Sequence, residues 1–477
     1  MIALALVLLP ATASLALALG IARTRAIEWL LTIAVGGTLL AAFETVAASA
    51  GPTVTGFLNV DATSRLFLAI INPVFLGVSV YVWSRLAASP ELRSEVERFV
   101  PLALAFLASA NAVLLSNHLL VCWLALEATG LTAAPLIVRP GLASSRQASF
   151  RYLLFSSVGL GLVLLGFVCF LRGMHSTGHA PTFFINELLA PGARASSDWE
   201  RLGLALVLFG LGTKLGLAPM YSWLPEAYDE APPSVAALLG AVQFNCALVV
   251  LMRVLQVYRS DHALLVTVEL LIMGISSMAV STLSIIATRN LRRVLAYAAI
   301  NHAGVIAIGL GIGKAACYGL LLYVLSNAVI KAVLFLTAGK IEAHYRTKDT
   351  RRISGLIKDL PYSGAFLMVG TFGLLGFPPF GSFFGELLVL SALVDSGQIL
   401  VFAAFCVLIT MTFVATGRTI FPMIWGEPKA SHTWPRQTFA SAAPKLVFLV
   451  ALVALGLYVP PVVNRLIRAV AASLEGS

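Results

Sequence analysis

The sequence predicts an all-α integral membrane protein with about 14 transmembrane helices. Its 477 residues are 59% hydrophobic and 11% charged, with a mean hydropathy of +0.92. About a quarter of the residues of a typical soluble domain are charged, so this composition does not fit a water-exposed surface. Apolar runs of about 20 residues, enough to cross the roughly 30 Å hydrocarbon layer, recur from the first residue almost to the last.

The predicted transmembrane spans follow one another with short loops between them. The N-terminal segment MIALALVLLPATASLALALG lacks the basic start of a signal peptide and is expected to form the first span. Breaks at charged and Pro- or Gly-rich segments place spans one to fourteen at residues 1–20, 26–49, 66–88, 100–116, 118–138, 152–171, 202–219, 234–257, 263–288, 293–312, 316–339, 363–394, 398–425 and 444–467.

The net charge of +10 comes from lysines and arginines that are concentrated in the odd-numbered loops, counted from the loop between spans one and two. The positive-inside rule makes those loops cytoplasmic and places both termini outside. The most basic loop, KIEAHYRTKDTRRISGLIKDLP, is expected to be an orientation signal, with contact to lipid head groups or a cytoplasmic partner as the alternative. The positive charges form no stripe or tail, so no nucleic-acid partner is expected.

Two of the predicted spans are broken. Span seven runs into LAPMYSWLPEAYDEAPPS, which contains four prolines, and span twelve is interrupted at GFPPFGSFFGE. In lipid, an unpaired backbone group costs several kcal/mol unless it is buried in protein or lines a wet cavity. The two breaks therefore indicate an ion path through the membrane.

The broken spans also suggest an internal repeat. Spans seven and twelve occupy matching places if spans four to eight and nine to thirteen are two five-helix repeats, the second inverted relative to the first. The resulting regions are N-terminal helices 1–3 in residues 1–99, a first five-helix half-channel in 100–257, a second in 263–425, and C-terminal helix 14 in 426–477.

Four charged residues lie inside the apolar segments: Glu127, Lys214, Lys331 and Glu386. A charge at the bilayer centre costs a few kcal/mol, so each of them needs a partner or a function. We expect them to carry protons; the alternative is that they only pair with one another and lock helices together. At about 4 Å and an effective dielectric constant near 20, a carboxylate attracts an ammonium group by about 4 kcal/mol. Because that exceeds the roughly 2.3 kcal/mol that 100 mV supplies per charge, moving Glu127 away from Lys214 could make the lysine release its proton.

Polar side chains that could relay protons accompany these charges. Tyr323, Asn327 and Lys331 are spaced by four residues and so share one face of span eleven. Four more candidates lie near the broken segments: Tyr221, Gln243, Asn245 and His302. The histidine either relays protons or is a structural hydrogen-bonding residue, whereas the two amides are expected to satisfy helix contacts or orient water. Two further carboxylates in apolar sequence, Glu44 and Glu269, have no evident partner.

No metal or iron–sulfur site is expected. The five cysteines lie singly in apolar segments, without a C-x-x-C spacing and without a nearby histidine, which favours simple packing. They are Cys122, Cys169, Cys246, Cys317 and Cys406.

Several motifs between about residues 60 and 425 resemble one family. They are, in order, WLALEATGL, GTKLGLAPMYSWLPEAYDEAPPSVAALL, NLRRVLAYAAINHAG, LSNAVIKAVLFLTAGK and GLLGFPPFGSFFGELLVL. The chain resembles the antiporter-like subunits of respiratory complex I, Mrp antiporters and group 4 hydrogenases, most of all the F subunit of hydrogenase 4. The resemblance implies that Glu127 and Lys214 are the Glu–Lys pair, Lys331 the central lysine and Glu386 the carboxylate at the channel outlet.

The same resemblance implies a proton-translocating subunit of a multisubunit oxidoreductase, of the hydrogenase 4 or NADH:quinone type, in the cell inner (plasma) membrane. Such a subunit has no catalytic residues and no redox cofactor of its own; its direct partners are other membrane subunits and the lipid bilayer, and peripheral redox subunits are indirect ones. A cation/proton antiporter subunit and a non-conducting membrane scaffold remain alternatives. No long lateral helix follows span fourteen, which argues against an equivalent of the distal subunit of complex I.

The chain departs from the family pattern at three relay positions. Tyr221, Tyr323 and Asn327 stand where many relatives have histidine. The relay is therefore expected to depend more on water, to be slower or to be partly disabled.

Overall fold

The chain folds into a bundle of apolar helices. The computed structural model describes residues 1–21, 23–47, 53–190, 192, 196–258, 261–313, 316–427 and 439–475. Within those ranges, ten helices are long and apolar enough to cross a membrane, and an eleventh span results if the bent pair near the C-terminus counts as one. The protein is therefore an all-α membrane protein.

The regular elements are almost all helical. The only strands in the described ranges are β1 (Thr53–Thr55) and β2 (Leu58–Val60), which pair antiparallel. The helices are α1 (Ile2–Ala18), α2 (Ala26–Val46), α3 (Ala62–Ala88), α4 (Arg93–Leu115), α5 (Leu119–Ile137), α6 (Ala143–Ser176), α7 (Ile185–Leu188), α8 (Asp198–Leu215), α9 (Trp223–Glu230), α10 (Pro233–Leu238), α11 (Phe244–Tyr258), α12 (Ala263–Ala287), α13 (Leu291–Ile312), α14 (Cys317–Tyr345), α15 (Leu356–Asp359), α16 (Pro361–Leu374), α17 (Gly381–Asp395), α18 (Ile399–Trp425), α19 (Phe439–Leu457) and α20 (Pro461–Glu475).

Two segments form the centre of the bundle. The apolar window of α14 is 100% buried, and so is that of the segment from α10 to α11. By contrast, only 28% of the window in α2 and 22% of that in α18 are buried, so these helices face lipid or neighbouring chains. The centre of the bundle therefore carries Lys331 on α14, and Gln243 and Asn245 on the segment beside it.

The helices are interrupted where prolines and glycines predict a break. The first interruption separates α8 from α9, and the second separates α16 from α17. Each contains, just after the end of the preceding helix, a glycine with positive φ, which is +75° at Gly216 and +65° at Gly376. Because a side chain is strained in this backbone conformation, glycine is the residue that lets each helix stop there.

The segment between α10 and α11 contains a π-helical turn over Leu239–Gln243. Such turns insert an extra residue into a helix and are frequent at functional sites. Predicted span eight is thus continuous along the chain but changes its helical register in the middle.

The C-terminal span differs from its prediction. A single helix over residues 444–467 was expected, but α19 ends at Leu457 and α20 begins at Pro461, with an angle of 70° between the segments. Pro460 and Pro461 prevent the helix from continuing. The last helix instead turns against the bundle, where Gln256 Nε2 donates a hydrogen bond of 2.8 Å to Ser473 Oγ.

The expectation that Glu44 lacks a partner was wrong. Its carboxylate lies 3.9 Å from Arg65 Nε, and both side chains are largely shielded from solvent. The two residues are on adjacent helices, α2 and α3, which are separated by a loop in sequence. The pair therefore joins predicted spans two and three.

A buried arginine joins three helices at one end of the bundle. Arg253 on α11 is fully buried and donates from Nη1 to Asp61 Oδ2 at 3.0 Å. Its Nη2 donates to Ser64 Oγ and to the Leu114 carbonyl oxygen, each at 3.0 Å. The guanidinium group thereby connects α11 to the start of α3 and the end of α4.

Arg253→Gln should therefore lower the free energy of unfolding by about 3 kcal/mol, because it leaves Asp61 without its buried cation. The measurement is the thermal unfolding of the purified protein in one detergent. Arg93→Gln is the control, since that side chain is 60% exposed in its ion pair with Glu97 and should cost no more than about 0.5 kcal/mol. Equal losses in the two variants would contradict the stabilising role of Arg253.

Candidate functional site

Lys214 occupies the last turn of α8, just before the first break. Its side chain is 3% exposed, and Nζ donates a hydrogen bond to Ser156 Oγ on α6. The carboxyl end of a helix carries partial negative charge, which favours an ammonium group at this position. A methyl group on Gly130 would lie 2.8 Å from Nζ, so the absence of a side chain there leaves the space that the ammonium group occupies.

Glu127 lies one helical turn before Gly130 on α5. Its Oε1 accepts a hydrogen bond of 2.7 Å from Ser157, and its Oε2 is buried without a hydrogen-bond partner among the described residues. No ion pair within 4.0 Å joins this carboxylate to Lys214 in the described part of the chain, although the two charges are close enough to attract each other. The adjacent hydroxyls of Ser156 and Ser157 therefore hold the two members of the predicted pair on separate partners.

The first lysine is linked to the π-helical turn. The ring of Tyr152 lies 5.5 Å from Lys214 Nζ, and its hydroxyl oxygen accepts a hydrogen bond from Gln243 Nε2. Gln243 is the last residue of the π-helical turn, and Gly240 in the same turn packs against the Lys331 side chain. The turn thus lies between the two buried lysines and contacts the surroundings of both.

Lys331 lies in the middle of α14 and is 2% exposed. Its Nζ is 4.0 Å from the centre of the Phe244 ring, a distance typical of a cation–π contact. Among the described residues it has no carboxylate within 4.0 Å. One turn away, Asn327 has a buried side-chain oxygen without a hydrogen-bond partner. Both groups have unused hydrogen-bonding capacity that water could satisfy.

Tyr323 connects the lysine face of α14 to the second break. Its hydroxyl is hydrogen-bonded to His302 Nδ1 on α13 and lies beside the Glu386 carboxyl group on α17. His302 is in turn close enough to Lys331 for their charges to interact. The structure therefore brings together Lys331, Asn327, Tyr323, His302 and Glu386.

A cavity of about 20 Å³ adjoins Glu386 and His302. This volume is enough for about one water molecule. Polar atoms of Asn301, Thr412 and Thr416 line it, and the Thr416 hydroxyl is buried without a partner among the described residues. These hydroxyl and amide groups were not anticipated from the sequence, because single polar residues in apolar helices more often bond to their own backbone.

One predicted relay residue, Tyr221, is placed elsewhere, and another, Asn245, bonds to its own helix. Tyr221 lines a lateral groove of about 1020 Å³ together with Glu269, on the outside of α12. Asn245 donates to the Ala241 carbonyl oxygen at 2.7 Å and so satisfies the backbone of the π-helical turn. This bond fits the expectation that Asn245 serves helix contacts.

The hydroxyl residues on α6 are the main part of the site that the sequence motifs did not predict. Tyr152, Ser156 and Ser157 contact either Lys214, Glu127 or Gln243. The signal was present, since the segment RYLLFSSVGLG carries a tyrosine and a serine pair in the middle of an apolar run. Tyr152 and Ser156 are four residues apart and therefore share one face of the helix.

Comparison with known proteins identifies the family. The family described as NADH:quinone oxidoreductase/Mrp antiporter, transmembrane, matches residues 116–412, which include Glu127, Lys214, Lys331 and Glu386. The chain belongs to this family. It is an antiporter-like membrane subunit, as the motifs imply.

Relatives of this subunit match over most of its length. A hydrogenase-4 component F homolog of Methylacidiphilum infernorum is 29% identical over 421 residues, covering 85% of this chain and 86% of the relative. NADH-quinone oxidoreductase subunit N of Polaromonas naphthalenivorans is 28% identical over 441 residues, covering 88% and 86%.

Solved structures share the fold of this antiporter-like subunit. A chain of an archaeal membrane-bound sulfane sulfur reductase has a TM-score of 0.88 at 21% identity, covering 99% of this chain and 97% of that one. A chain of the Mrp complex of a Dietzia species has a TM-score of 0.85 at 22% identity, with the same two coverages. Both neighbours come from membrane complexes.

The contact between Gly376 and Glu386 allows a direct test of the second break. An added methyl group at Gly376 would overlap the Glu386 carboxyl group, whereas at Gly397 it would meet nothing within 4 Å. Both glycines have positive φ, +65° and +72°, so both alanine variants carry a backbone cost of about 1 kcal/mol. We expect Gly376→Ala to lower the thermal unfolding midpoint at least twice as far as Gly397→Ala. Equal shifts of the unfolding midpoint in the two variants would mean that the Glu386 carboxyl group does not pack against Gly376.

Proposed function

We propose that this chain is a proton-translocating subunit of a multisubunit respiratory-type oxidoreductase of the hydrogenase 4 or complex I kind. The observation that carries the proposal is the series of intramembrane ionisable groups that runs from half-buried Glu127 and buried Lys214, past the π-helical turn, to Lys331 and Glu386. Intramembrane ionisable groups are costly and are functional by default.

The first step takes place at Glu127 and Lys214. In the observed arrangement the ammonium group of Lys214 bonds to Ser156 and the carboxylate of Glu127 bonds to Ser157. Contact between the two charges at about 4 Å would add attraction of about 4 kcal/mol at an effective dielectric constant near 20. Movement of either side chain between its serine and the opposite charge therefore changes how strongly Lys214 holds its proton.

The second step carries the proton between the lysines. Tyr152 and Gln243 lie on the route from Lys214 to the π-helical turn, and the turn contacts Lys331. An amide does not carry a proton itself, so we propose that Gln243 orients water molecules that do. Lys331 has no carboxylate partner within 4.0 Å among the described residues, so a proton that reaches it can move on.

The last step leads to Glu386 through Tyr323 and His302. The hydroxyl group and the imidazole ring are hydrogen-bonded to each other, and Glu386 lies next to the hydroxyl. Tyr323 thus takes the place that a histidine has in many relatives, and the small cavity beside Glu386 offers room for one water molecule. The relay proposed here uses one hydroxyl, one imidazole and water.

The arrangement in the membrane is part of the proposal. We propose 14 spans, because α1, the α8–α9 pair and the α16–α17 pair add three to the eleven apolar spans. Spans four to eight and nine to thirteen form two inverted five-helix repeats, with half-channels in 100–257 and 263–425, between N-terminal helices in 1–99 and helix 14 in 426–477.

Both termini face outward from the cell inner (plasma) membrane. The partners of the chain are other membrane subunits and, indirectly, peripheral redox subunits.

Replacement of the central lysine tests the whole path. In the complex reconstituted into liposomes with a pH-sensitive dye inside, Lys331→Ala should reduce proton flux at least tenfold, because the route has no other ammonium group at its centre. Glu127→Gln should reduce it as well, since it removes the charge that attracts Lys214. Glu269→Gln is the matched control, and its flux should stay near the wild-type value.

The alternatives predict different results in the same assay. Proton flux that survives in both Lys331→Ala and Glu127→Gln would contradict the proposed path. It would favour the interpretation that this chain is a non-conducting scaffold in the complex. Flux that follows a sodium gradient and needs no redox reaction would favour a cation/proton antiporter subunit.

The Tyr323 hydroxyl is a second point of test. Tyr323→Phe removes the group that joins His302 to Glu386, so proton flux should fall several-fold while the unfolding midpoint changes little. Tyr318→Phe is the control on the same helix, because its hydroxyl bonds to Asn464 at 2.9 Å and not to the path. A relay that bypasses Tyr323 would show equal flux in the two variants.

A further inference from the structure

A large cavity lies at the end of the bundle that carries the basic loops, between α3, α4, α5, α14 and α19. Its volume is about 1300 Å³, which exceeds the roughly 300–1,000 Å³ of ordinary small-molecule sites. None of the four buried charges on the proposed proton path lines it. The cavity is therefore a separate feature of the fold.

Seven lysine and arginine residues line this cavity. Three of them come from three different helices: Arg85 on α3, Lys340 on α14 and Lys445 on α19. Lys445 is 1% exposed, and its Nζ lies 5.3 Å from the Phe366 ring centre and 5.9 Å from that of Tyr81. Arg85 and Lys445 are each close enough to Lys340 to repel it. Among the described residues, none of the three has a carboxylate within 4.0 Å.

The acidic residues of the lining do not offset these charges. Glu342 is already paired with Arg292 at 2.6 Å and with Arg139 at 3.6 Å. Glu97 is paired with Arg93 at 3.2 Å. Glu95, the remaining carboxylate of the lining, is exposed at the surface. Arg85, Lys340 and Lys445 thus form a positive cluster, with Lys445 buried and the other two half-buried, whose repulsion an added anion would relieve.

The walls of the cavity are apolar along α1, α4 and α5. Leu17, Val96, Leu102 and Leu136 line them. An inorganic anion needs no such walls, whereas a phospholipid places acyl chains against apolar side chains while its phosphate meets lysine and arginine. Basic pockets between transmembrane helices are known to hold anionic lipid head groups in this way.

We propose that this cavity binds an anionic phospholipid, with its phosphate group at Arg85, Lys340 and Lys445 and its acyl chains along the walls of α1, α4 and α5. The lipid would join helices that are far apart in sequence. The inference is independent of the proposed proton path.

Native mass spectrometry of the intact complex tests the lipid site. The complex is held in nanodiscs of phosphatidylcholine with increasing phosphatidylglycerol, and the bound lipid is counted after ejection. The wild type should retain phosphatidylglycerol, and the double variant Lys340→Gln with Lys445→Gln should weaken its apparent affinity at least tenfold. Lys358→Gln changes a 59% exposed lysine of a basic loop. It should leave the apparent affinity for phosphatidylglycerol within twofold of the wild-type value.

Two further measurements separate folding from binding and lipid from free anion. The variant Lys340→Arg with Lys445→Arg keeps both charges and should retain the lipid, so loss in the glutamine variant alone is not a folding failure. Equal phosphatidylglycerol retention in the wild type and the glutamine variant would overturn the proposal. Inorganic phosphate that displaces the lipid and stabilises the complex as strongly would also overturn it, because the ligand would then be a free anion.

Discussion

A lysine ammonium group inside a membrane bundle must obtain from the protein the stabilisation that water would otherwise give. The two central lysines meet this requirement in different ways. Lys214 receives a serine hydroxyl, the carboxyl end of α8 and a nearby carboxylate, whereas Lys331 receives an aromatic ring. This requirement explains much of the structure around Lys214, because the break after α8 supplies the helix end and Gly130 leaves the space for the ammonium group.

In the proposed proton path, this difference means that the two lysines hold a proton with unequal strength. The charged form of Lys214 has more favourable contacts than that of Lys331, so a proton should reside longer at the first lysine than at the second. Near the second lysine, Asn327 retains an unsatisfied oxygen and Tyr323 leads on to Glu386. A lysine that holds its proton weakly suits proton transfer more than storage.

Most of the fold and the positions of the buried charges could be predicted from the sequence. Apolar length located the ten long apolar helices that the structure describes, the proline and glycine clusters located both breaks, and the four-residue spacing of Tyr323, Asn327 and Lys331 placed them on one face of α14. These predictions succeed because they depend on local chemistry and on the length that a bilayer requires.

The remainder depends on contacts between helices, which a single sequence does not display. Ser156 and Ser157 resemble ordinary packing residues until α6 is set beside α5 and α8. Lys445 lies near the start of a span, where a lysine usually reaches the membrane surface, yet here it is buried in a cavity. Tyr221 lies in the broken segment that follows Lys214 in sequence, but it lines a different groove because the chain turns away at the break.

The π-helical turn has a consequence for how this chain can vary. The π-helical turn over Leu239–Gln243 takes up one more residue than an α-helical turn, so deleting one residue there would restore regular α-helix and remove the widened turn. Gly240 and Gln243 could then no longer face Lys331 and Tyr152 together. Surface loops tolerate changes in length, whereas this buried stretch should keep its number of residues fixed even where its side chains are exchanged.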